Sequence, residues 1–336
     1  MSKFKITIDA MGGDYAPSEI IKGAVEGAKE LDIEAIIVGL KEPVEVELAK
    51  LDTAGLPVSV VEATQQIADG EAPAIAVMRK PNSSVALATR LVKEGKADAT
   101  LSAGSTGACM VSAFQYLGTL PGIERPVAGG AFFRLAPDTV ILDLGANVGC
   151  QPYQTVEFAA IGSVYAKTFH GVDNPTIGLL NVGAEEGKGN DFSKEAYNLL
   201  KNSGLNFIGN VEGLDIPAGK ANVVVTDGFV GNILTKFCEG IGQSMMGWFL
   251  KEMKDKLSPE DLQSTANKIY GILSPGMSMG GGPLLGVDGL FGITHGRSKA
   301  QQIVGTIKQM KHAWETGFIN NLRAELAKIK KTLPDS

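Results

Sequence analysis

Residues 5–31, KITIDAMGGDYAPSEIIKGAVEGAKEL, contain the pattern that decides the fold. A short apolar run ends at Asp9, a loop with two adjacent glycines follows, and apolar residues then recur at the spacing of a helix. Short apolar runs that end in Gly, Asp or Asn and lead into helical patterns recur along the chain. This rhythm is typical of β-α units, so we predict an α/β fold with a mainly parallel sheet and helices on both faces.

The same periodicity gives bounds for the elements. Strands are predicted over residues 5–8, 34–38, 58–61, 99–102, 139–142, 176–180, 206–208 and 223–225. Helices are predicted over residues 18–31, 44–51, 84–94, 107–117, 154–168, 193–202, 231–256, 259–273 and 301–326. Only KLSPED separates two of these helices, which predicts a helical hairpin projecting from the sheet. We expect one domain over residues 1–336, with this helical excursion at about 238–282.

Composition limits the partners and the compartment. A formal net charge of −6 disfavours nucleic acid, because binding to a phosphate backbone needs a dense basic face. The three cysteines are widely separated, which favours reduced thiols over a disulfide framework or a zinc site. We find no leader pattern and no run of about 18 uncharged apolar residues, so we expect a cytoplasmic protein.

Five predicted strands end in loops that combine glycine with Asn, Ser, Thr or Asp. In an open parallel sheet such loops border the crevice where ligands bind. The loop SAGSTGA, residues 102–108, offers hydroxyl groups and backbone amides at the start of a predicted helix, as an anion site requires. A glycine-rich turn with a Ser or Thr helix cap explains the same residues, and the sequence leaves both interpretations open.

Several common catalytic signatures are missing. GAEEGKG, residues 183–189, is one residue too short for a Walker loop and has Gly189 where a Ser or Thr would bind magnesium. No GxGxxG follows the first strand, and no GxSxG is present. Cys109 falls in the first turn of a predicted helix and is expected to be buried. The carboxylates form no dense cluster, so we predict neither a metal site nor a cofactor.

The glycine-containing blocks occur in a definite order. They are DAMGGD (9–14), SAGSTGA (102–108), GANV (145–148), NVGAEEGKGN (181–190), GNVEG (209–213), TDGFVGN (226–232) and LLGVDG (284–289). In their residues and in their order along the chain, these blocks resemble the PlsX family of phosphate acyltransferases. Two departures are Ser105, where the family usually has Asn, and the polar tip LSPEDLQST, where some relatives are more apolar.

The resemblance implies a Rossmann-like fold, a homodimer and a reaction. In that reaction acyl-[acyl carrier protein] and inorganic phosphate give acyl phosphate for phospholipid synthesis. The product would feed a membrane glycerol-3-phosphate acyltransferase, PlsY, which makes PlsY a candidate contact. An enzyme of this kind can work by positioning the phosphate against the thioester and stabilising an oxyanion, without a triad.

The resemblance also assigns functional residues, at the positions of this sequence that match the motifs of the family. The resemblance implies Lys188 and Asn232 as catalytic residues. From the residues alone, Lys188 is either a cation for phosphate or the oxyanion, or a solvated loop lysine. The residues expected to bind phosphate or substrate are Asp9, Gly12, Gly13, Asp14, Ser102, Gly104, Ser105, Thr106, Gly107, Asn147, Asn190, Asp227 and Gly228.

Two surfaces are candidates for contact with other molecules. Apolar residues keep to one helical face over residues 241–257, which favours packing on another helix or subunit, or weak peripheral contact at the inner face of the cell membrane. Four basic residues flank two of the blocks and are candidates for docking the acidic carrier protein: Arg79, Lys80, Arg297 and Lys299.

Two other functions stay open. A phosphotransacetylase-like enzyme would use a short acyl-coenzyme A with a similar phosphate site. A non-catalytic scaffold for lipid-synthesis enzymes would use the helical excursion. The concentration of Lys, Asn, Ser and Thr in strand-end loops speaks against the scaffold.

Overall fold

The computed structural model describes residues 3–68, 70–273 and 281–329, whose contacts divide them into two compact units. The first unit comprises residues 3–68, 70–120, 124–126 and 281–320, and contains a six-stranded sheet. The second unit comprises residues 121–123, 127–273 and 321–329, and contains a five-stranded sheet. The single domain over residues 1–336 stays a prediction.

The described residues form eleven strands and eleven helices. The strands are β1 Lys5–Asp9, β2 Glu34–Gly39, β3 Val58–Glu62, β4 Ala99–Ser102, β5 Gly129–Phe133, β6 Ala136–Leu142, β7 Ile177–Leu180, β8 Phe207–Val211, β9 Val223–Val225, β10 Gly281–Pro283 and β11 Leu290–Thr294. The helices are α1 Ser18–Glu30, α2 Lys41–Leu48, α3 Pro73–Arg79, α4 Ser84–Lys93, α5 Thr106–Tyr116, α6 Gln154–His170, α7 Asp191–Lys201, α8 Gly228–Met253, α9 Pro259–Leu273, α10 Ala300–Glu315 and α11 Phe318–Ile329.

In the first unit the strand order is β10-β11-β4-β1-β2-β3. All neighbouring pairs are parallel except β10 with β11. Strand β4 is buried along its whole length, as is typical of a parallel strand covered on both faces. The register places Asp9 opposite Ser102, where β1 and β4 end side by side. Two predicted site residues therefore lie at one edge of this sheet.

In the second unit the order is β5-β6-β9-β7-β8, and only the pair β5 and β6 is antiparallel. Val225, at the end of β9, pairs with Leu142 of β6 and with Leu179 of β7. The loops that follow these three strands therefore leave the same edge of the sheet. Helices α8 and α9 pack against each other as the predicted hairpin.

The predicted fold class is confirmed, since the sheets are mainly parallel and each predicted strand is present within a few residues. Strands β5, β10 and β11 and helix α3 were not predicted. Strand β5 begins with Gly129 and Gly130, which in the sequence indicate a turn. A β-carbon at Gly129 would overlap the Leu142 side chain on β6, so the close pairing of these strands requires glycine there.

Two helix predictions need correction. The single helix over residues 301–326 is wrong, because the chain forms α10 and α11 with Gly317 between them at a φ of +66°. Helix α8 begins at Gly228, before the predicted residue 231, because the Asp227 carboxylate accepts hydrogen bonds from the first amides of the helix. Of the predicted excursion over 238–282, residues 274–280 lie outside the described residues.

Candidate active site

The loops after β1 and β4 border a small pocket in the first unit. Its volume is about 90 Å³, which suits a few waters or a small anion rather than a long acyl chain. Its lining includes Asp9, Gly12, Gly13, Ser102, Gly104 and Ser105. The structure therefore brings together most of the phosphate-binding residues predicted in the first two blocks.

Asp9 is buried, and both of its carboxylate oxygens accept hydrogen bonds. Ser102 Oγ donates to Asp9 Oδ2 at 2.7 Å, and the Met11 amide donates to Oδ1 at 3.1 Å. Burial raises the pKa of Asp9, and hydrogen bonds from neighbouring hydroxyls and amides offset part of that rise. Ser102 Oγ in turn accepts a hydrogen bond from the Gly104 amide at 3.0 Å. Asp9 thus supports the loop after β4 through Ser102.

Close backbone approach explains the glycines of the first loop. A β-carbon at Gly12 would lie 2.6 Å from the backbone nitrogen of Gly104. Gly13 has a φ of +106°, a conformation that disfavours any side chain. The Asp14 amide donates to the Gly296 carbonyl at 2.8 Å, so this loop is joined to the segment after β11.

Ser105, Thr106 and Gly107 lie at the start of α5. Ser105 Oγ accepts a hydrogen bond from the Ala108 amide at 3.3 Å, which is the helix cap that the sequence allowed. The Thr106 side chain is exposed. Packing explains Gly107, because a β-carbon there would lie 2.7 Å from Cγ of Pro73. Phosphate binding at this turn stays a prediction.

Cys109 is fully buried, as the sequence predicted. Burial raises the pKa of its thiol to about 12. The thiol lies 3.8 Å from the Gly104 carbonyl, to which it donates. A buried, protonated thiol is a poor nucleophile, so Cys109 is not suited to carry an acyl group.

Asp143, which was outside the predicted site, organises the GANV block in the second unit. Its Oδ1 accepts hydrogen bonds from the amides of Gly145 at 3.0 Å and Ala146 at 2.8 Å. Its Oδ2 accepts from the backbone nitrogen of Asn147 at 2.6 Å and from Asn147 Nδ2 at 2.8 Å. Burial raises the pKa of Asp143, although these bonds favour the ionised form. The available signal was an Asp directly after a predicted strand and before a Gly-Ala-Asn turn.

The TDGFVGN block forms the start of α8. Asp227 Oδ1 caps the helix, accepting hydrogen bonds from its amides at 2.8 and 3.0 Å. The Gly228 amide donates to the Asn147 carbonyl at 3.1 Å, which links this block to the GANV block. Asn232 is exposed and packs against Gly145, whose β-carbon would be 3.3 Å from Asn232 Oδ1. The two blocks therefore form one local structure.

Lys188 lies in the loop after β7, with 53% of its side chain exposed. Its Nζ lies 3.9 Å from Glu185 Oε2, a solvent-exposed pair of the kind that contributes little to stability. Asn181 Nδ2 donates to the Lys188 carbonyl at 3.1 Å and fixes the loop. Asn190 Oδ1 accepts from the Ser193 amide at 2.9 Å and caps α7. The Lys188 ammonium group is accessible to an anion.

The predicted site residues thus form two sets, one in each unit. In the second unit, Lys188, Asn147 and Asn232 follow adjacent parallel strands, at the edge where ligands bind in such sheets. An exposed ammonium group and an exposed amide can hold an anion and donate to an oxyanion. Over residues 3–68, 70–273 and 281–329, no three His, Cys, Asp or Glu side chains come together as metal ligands. None of the helices in those ranges has the length and hydropathy of a membrane span.

Comparisons with known proteins match nearly the whole chain. The family model described as "Fatty acid synthesis protein" matches residues 4–321. The phosphate acyltransferase of Pelotomaculum thermopropionicum is 41% identical over 333 residues, covering 97% of this chain and 96% of its own. The phosphate acyltransferase of Dictyoglomus thermophilum is 44% identical over 330 residues, covering 97% of this chain and 98% of its own. The fold is similar to that of EutD phosphotransacetylase from Staphylococcus aureus, with a TM-score of 0.58, 18% identity and coverage of 96% and 94%.

Proposed function

The chain belongs to the fatty acid synthesis protein family and is a phosphate acyltransferase, and on this premise we propose that its acyl donor is acyl carrier protein. The carrier thioester and inorganic phosphate would give acyl phosphate and the free carrier thiol. The observation that carries this proposal is the family match over residues 4–321. The exposed Lys188 at the strand-end edge of the second sheet supports it.

The chemistry needs placement and charge stabilisation. An oxygen of hydrogen phosphate attacks the thioester carbonyl carbon, and an oxyanion forms. The carbon–sulfur bond then breaks, and the sulfur leaves as the free thiol with the proton that hydrogen phosphate gives up. The positively charged ammonium group of Lys188 holds either the attacking phosphate or the oxyanion. The Asn232 amide donates a hydrogen bond to the oxyanion. The loop after β6 positions Asn232 through Gly145.

The first unit holds a separate set of groups suited to binding an anion. The backbone amides of the glycine loops and the start of α5 are suitable donors to phosphate oxygens. An ionised Asp9 would repel a phosphate, so the proposed role of Asp9 is to hold Ser102 and the loop after β4. Asp227 and Asn190 accept the cap hydrogen bonds of α8 and α7, so their proposed role is to support the loops that start these helices.

Assembly and location are part of the same proposal. The protein is a cytoplasmic homodimer that makes weak peripheral contact with the membrane and passes acyl phosphate to PlsY. The support is the apolar stripe of the hairpin, where Trp248 is 61% exposed and Met245 is 45% exposed. Covering such exposed apolar side chains with a second subunit or a lipid surface lowers the free energy, because apolar surface is removed from water.

The direct test is incubation with long-chain acyl carrier protein and labelled phosphate. Hydroxylamine then traps the acyl phosphate as an acyl hydroxamate, which mass spectrometry detects. Parallel reactions use acyl-coenzyme A of the same chain length and a short acyl-coenzyme A. We expect faster product formation from the carrier protein. A preference for short acyl-coenzyme A would overturn the assigned donor in favour of a phosphotransacetylase-like enzyme.

A further inference from the structure

A second and larger pocket lies in the second unit at the ends of β7 and β9. Its volume is about 590 Å³, within the range of roughly 300–1,000 Å³ that is usual for small-molecule sites. Helix α7 and the first turns of α8 border it, and its lining is mainly apolar. None of the residues predicted to be catalytic lines this pocket.

The pocket has a polar part and an apolar part. Its polar residues lie at strand ends and helix starts, and include Asn190 and Asp227. Its apolar residues continue along α8 as Val230, Ile233 and Phe237, which share one face at helical spacing. From the first to the last of these is a distance of about 10 Å along the helix axis. The apolar face therefore extends along α8 from Asp227, the polar residue that caps this helix.

The apolar part is exposed to water. Ile233 is 53% exposed and Phe237 is 65% exposed, while Val182, from the loop after β7, is 81% exposed. Burying apolar surface is favourable in proportion to the area buried. A long apolar ligand that covered these three side chains would gain binding energy in proportion to the area covered.

We infer that this pocket holds the fatty acyl chain of the donor, with the thioester end toward the polar groups and the alkyl chain along α8. The inference rests on the proposed function. It follows from continuity with the candidate site, since Gly189 and Asn190 line the pocket and directly follow Lys188 in the chain. A chain that lies along the Val230–Ile233–Phe237 face has its reacting carbonyl near the strand-end edge of the second sheet. The loop that carries Lys188 and the first turns of α8, which carry Asn232, follow strands at that edge.

The test compares two donors that differ only in the acyl group: hexadecanoyl- and butanoyl-carrier protein. Ile233→Trp places a larger side chain in the pocket. Phe237→Ala removes an apolar contact at the end of the pocket that lies farthest along α8. Ile208→Trp is the matched control, because Ile208 is 42% exposed in the same unit but does not line the pocket. The kcat/KM for each donor is measured by hydroxylamine trapping, and the oligomeric state by size-exclusion chromatography.

Ile233→Trp is expected to lower kcat/KM for the hexadecanoyl donor about tenfold or more and for the butanoyl donor less than about twofold. Phe237→Ala is expected to raise KM for the hexadecanoyl donor alone, and it decides the question if the tryptophan variant does not fold. Equal losses for both donors, losses matched by Ile208→Trp, or a change in oligomeric state would place something other than the acyl chain in the pocket. A wild-type protein inactive with both donors would instead contradict the proposed function.

Discussion

Gly145 packs directly against the side chain of Asn232: a β-carbon at Gly145 would lie 3.1 Å from Cβ and 3.2 Å from Cγ of that residue. Gly145 has a φ of +125°, and its amide donates to Asp143 Oδ1 at 3.0 Å. A buried carboxylate thus fixes the loop that borders Asn232. The close approach of Gly145 limits the space open to the Asn232 side chain on that side, and an oxyanion donor needs to be held in place.

The first prediction follows from that contact. Gly145→Ala is expected to lower kcat about tenfold or more, because a methyl group there displaces Asn232. Gly149→Ala is the matched control: Gly149 also has a positive φ, +73°, but a β-carbon there meets nothing within 4 Å. Both variants place a side chain at a positive φ, where L residues are strained. Equal kcat values in the two variants would show that the contact with Asn232 does not matter for turnover.

The second prediction concerns the two proposed catalytic residues. Lys188→Ala and Asn232→Ala are each expected to lower turnover by about two orders of magnitude or more. Both side chains are exposed, so thermal stability should change little. Lys194→Ala and Asn198→Ala, exposed positions on α7, serve as controls. Near wild-type kcat in either test variant would remove that residue from the mechanism.

A third prediction uses the raised pKa of Asp9. Because the folded state holds the Asp9 proton to a higher pH than the unfolded chain, this residue contributes most to stability at low pH. That contribution falls as the pH rises from the ordinary value of 3.8 to the raised folded pKa. The free energy of unfolding of wild type minus that of Asp9→Asn should therefore fall across this window. Urea unfolding at a series of pH values measures it, and a difference that grows with pH would contradict the raised pKa.

The strand-end loops show which parts of the site the sequence predicts and which it does not. Strand ends at Asp9 and Ser102 follow from apolar runs that stop at polar residues, and parallel pairing then puts those ends together. The role of Asp143 did not follow. Its four hydrogen bonds depend on a loop that folds back on a single carboxylate, and hydrophobic periodicity carries no information about that geometry.

The roles of the glycines were also not predictable from the sequence. Runs of glycine in the sequence indicate turns, yet Gly129 allows two strands to pair closely and Gly107 makes room for Pro73. Ser105, Asp227 and Asn190 fit a ligand site from their types, and each accepts the hydrogen bond of a helix cap. Residue type alone cannot separate these uses, because capping and anion binding draw on the same polar groups.

The fourth prediction addresses docking of the acidic carrier protein, on the proposal that Arg79, Lys80, Arg297 and Lys299 form a basic cluster. Charge reversal at all four is expected to raise KM for the acyl carrier protein and to weaken its salt dependence, because opposite potentials steer association. Lys80 is paired with Glu71, and Arg297 Nε lies 3.7 Å from Asp14 Oδ2, so the cluster is partly neutralised within the chain.

The control for docking reverses four other exposed lysines of the first unit and so changes the net charge equally: Lys22, Lys29, Lys41 and Lys50. An unchanged KM and salt dependence in the cluster variant, or the same change in the control, would place the docking surface elsewhere. Circular dichroism on both variants checks that the Lys80 pairing is not needed for folding.

The final prediction is weak, reversible binding of the protein to anionic liposomes through the hairpin stripe. Trp248 is 61% exposed on α8 and can insert at the interface, while the acidic tip at Glu260 and Asp261 opposes binding to anionic lipid. Wild type should float with the liposomes, and the pair Trp248→Glu and Phe249→Glu should not. The oligomeric state, which we propose to be a homodimer, is monitored in parallel. Loss of flotation with the dimer intact supports membrane contact, whereas loss of the dimer makes the stripe a subunit interface, and wild type that never floats contradicts the prediction.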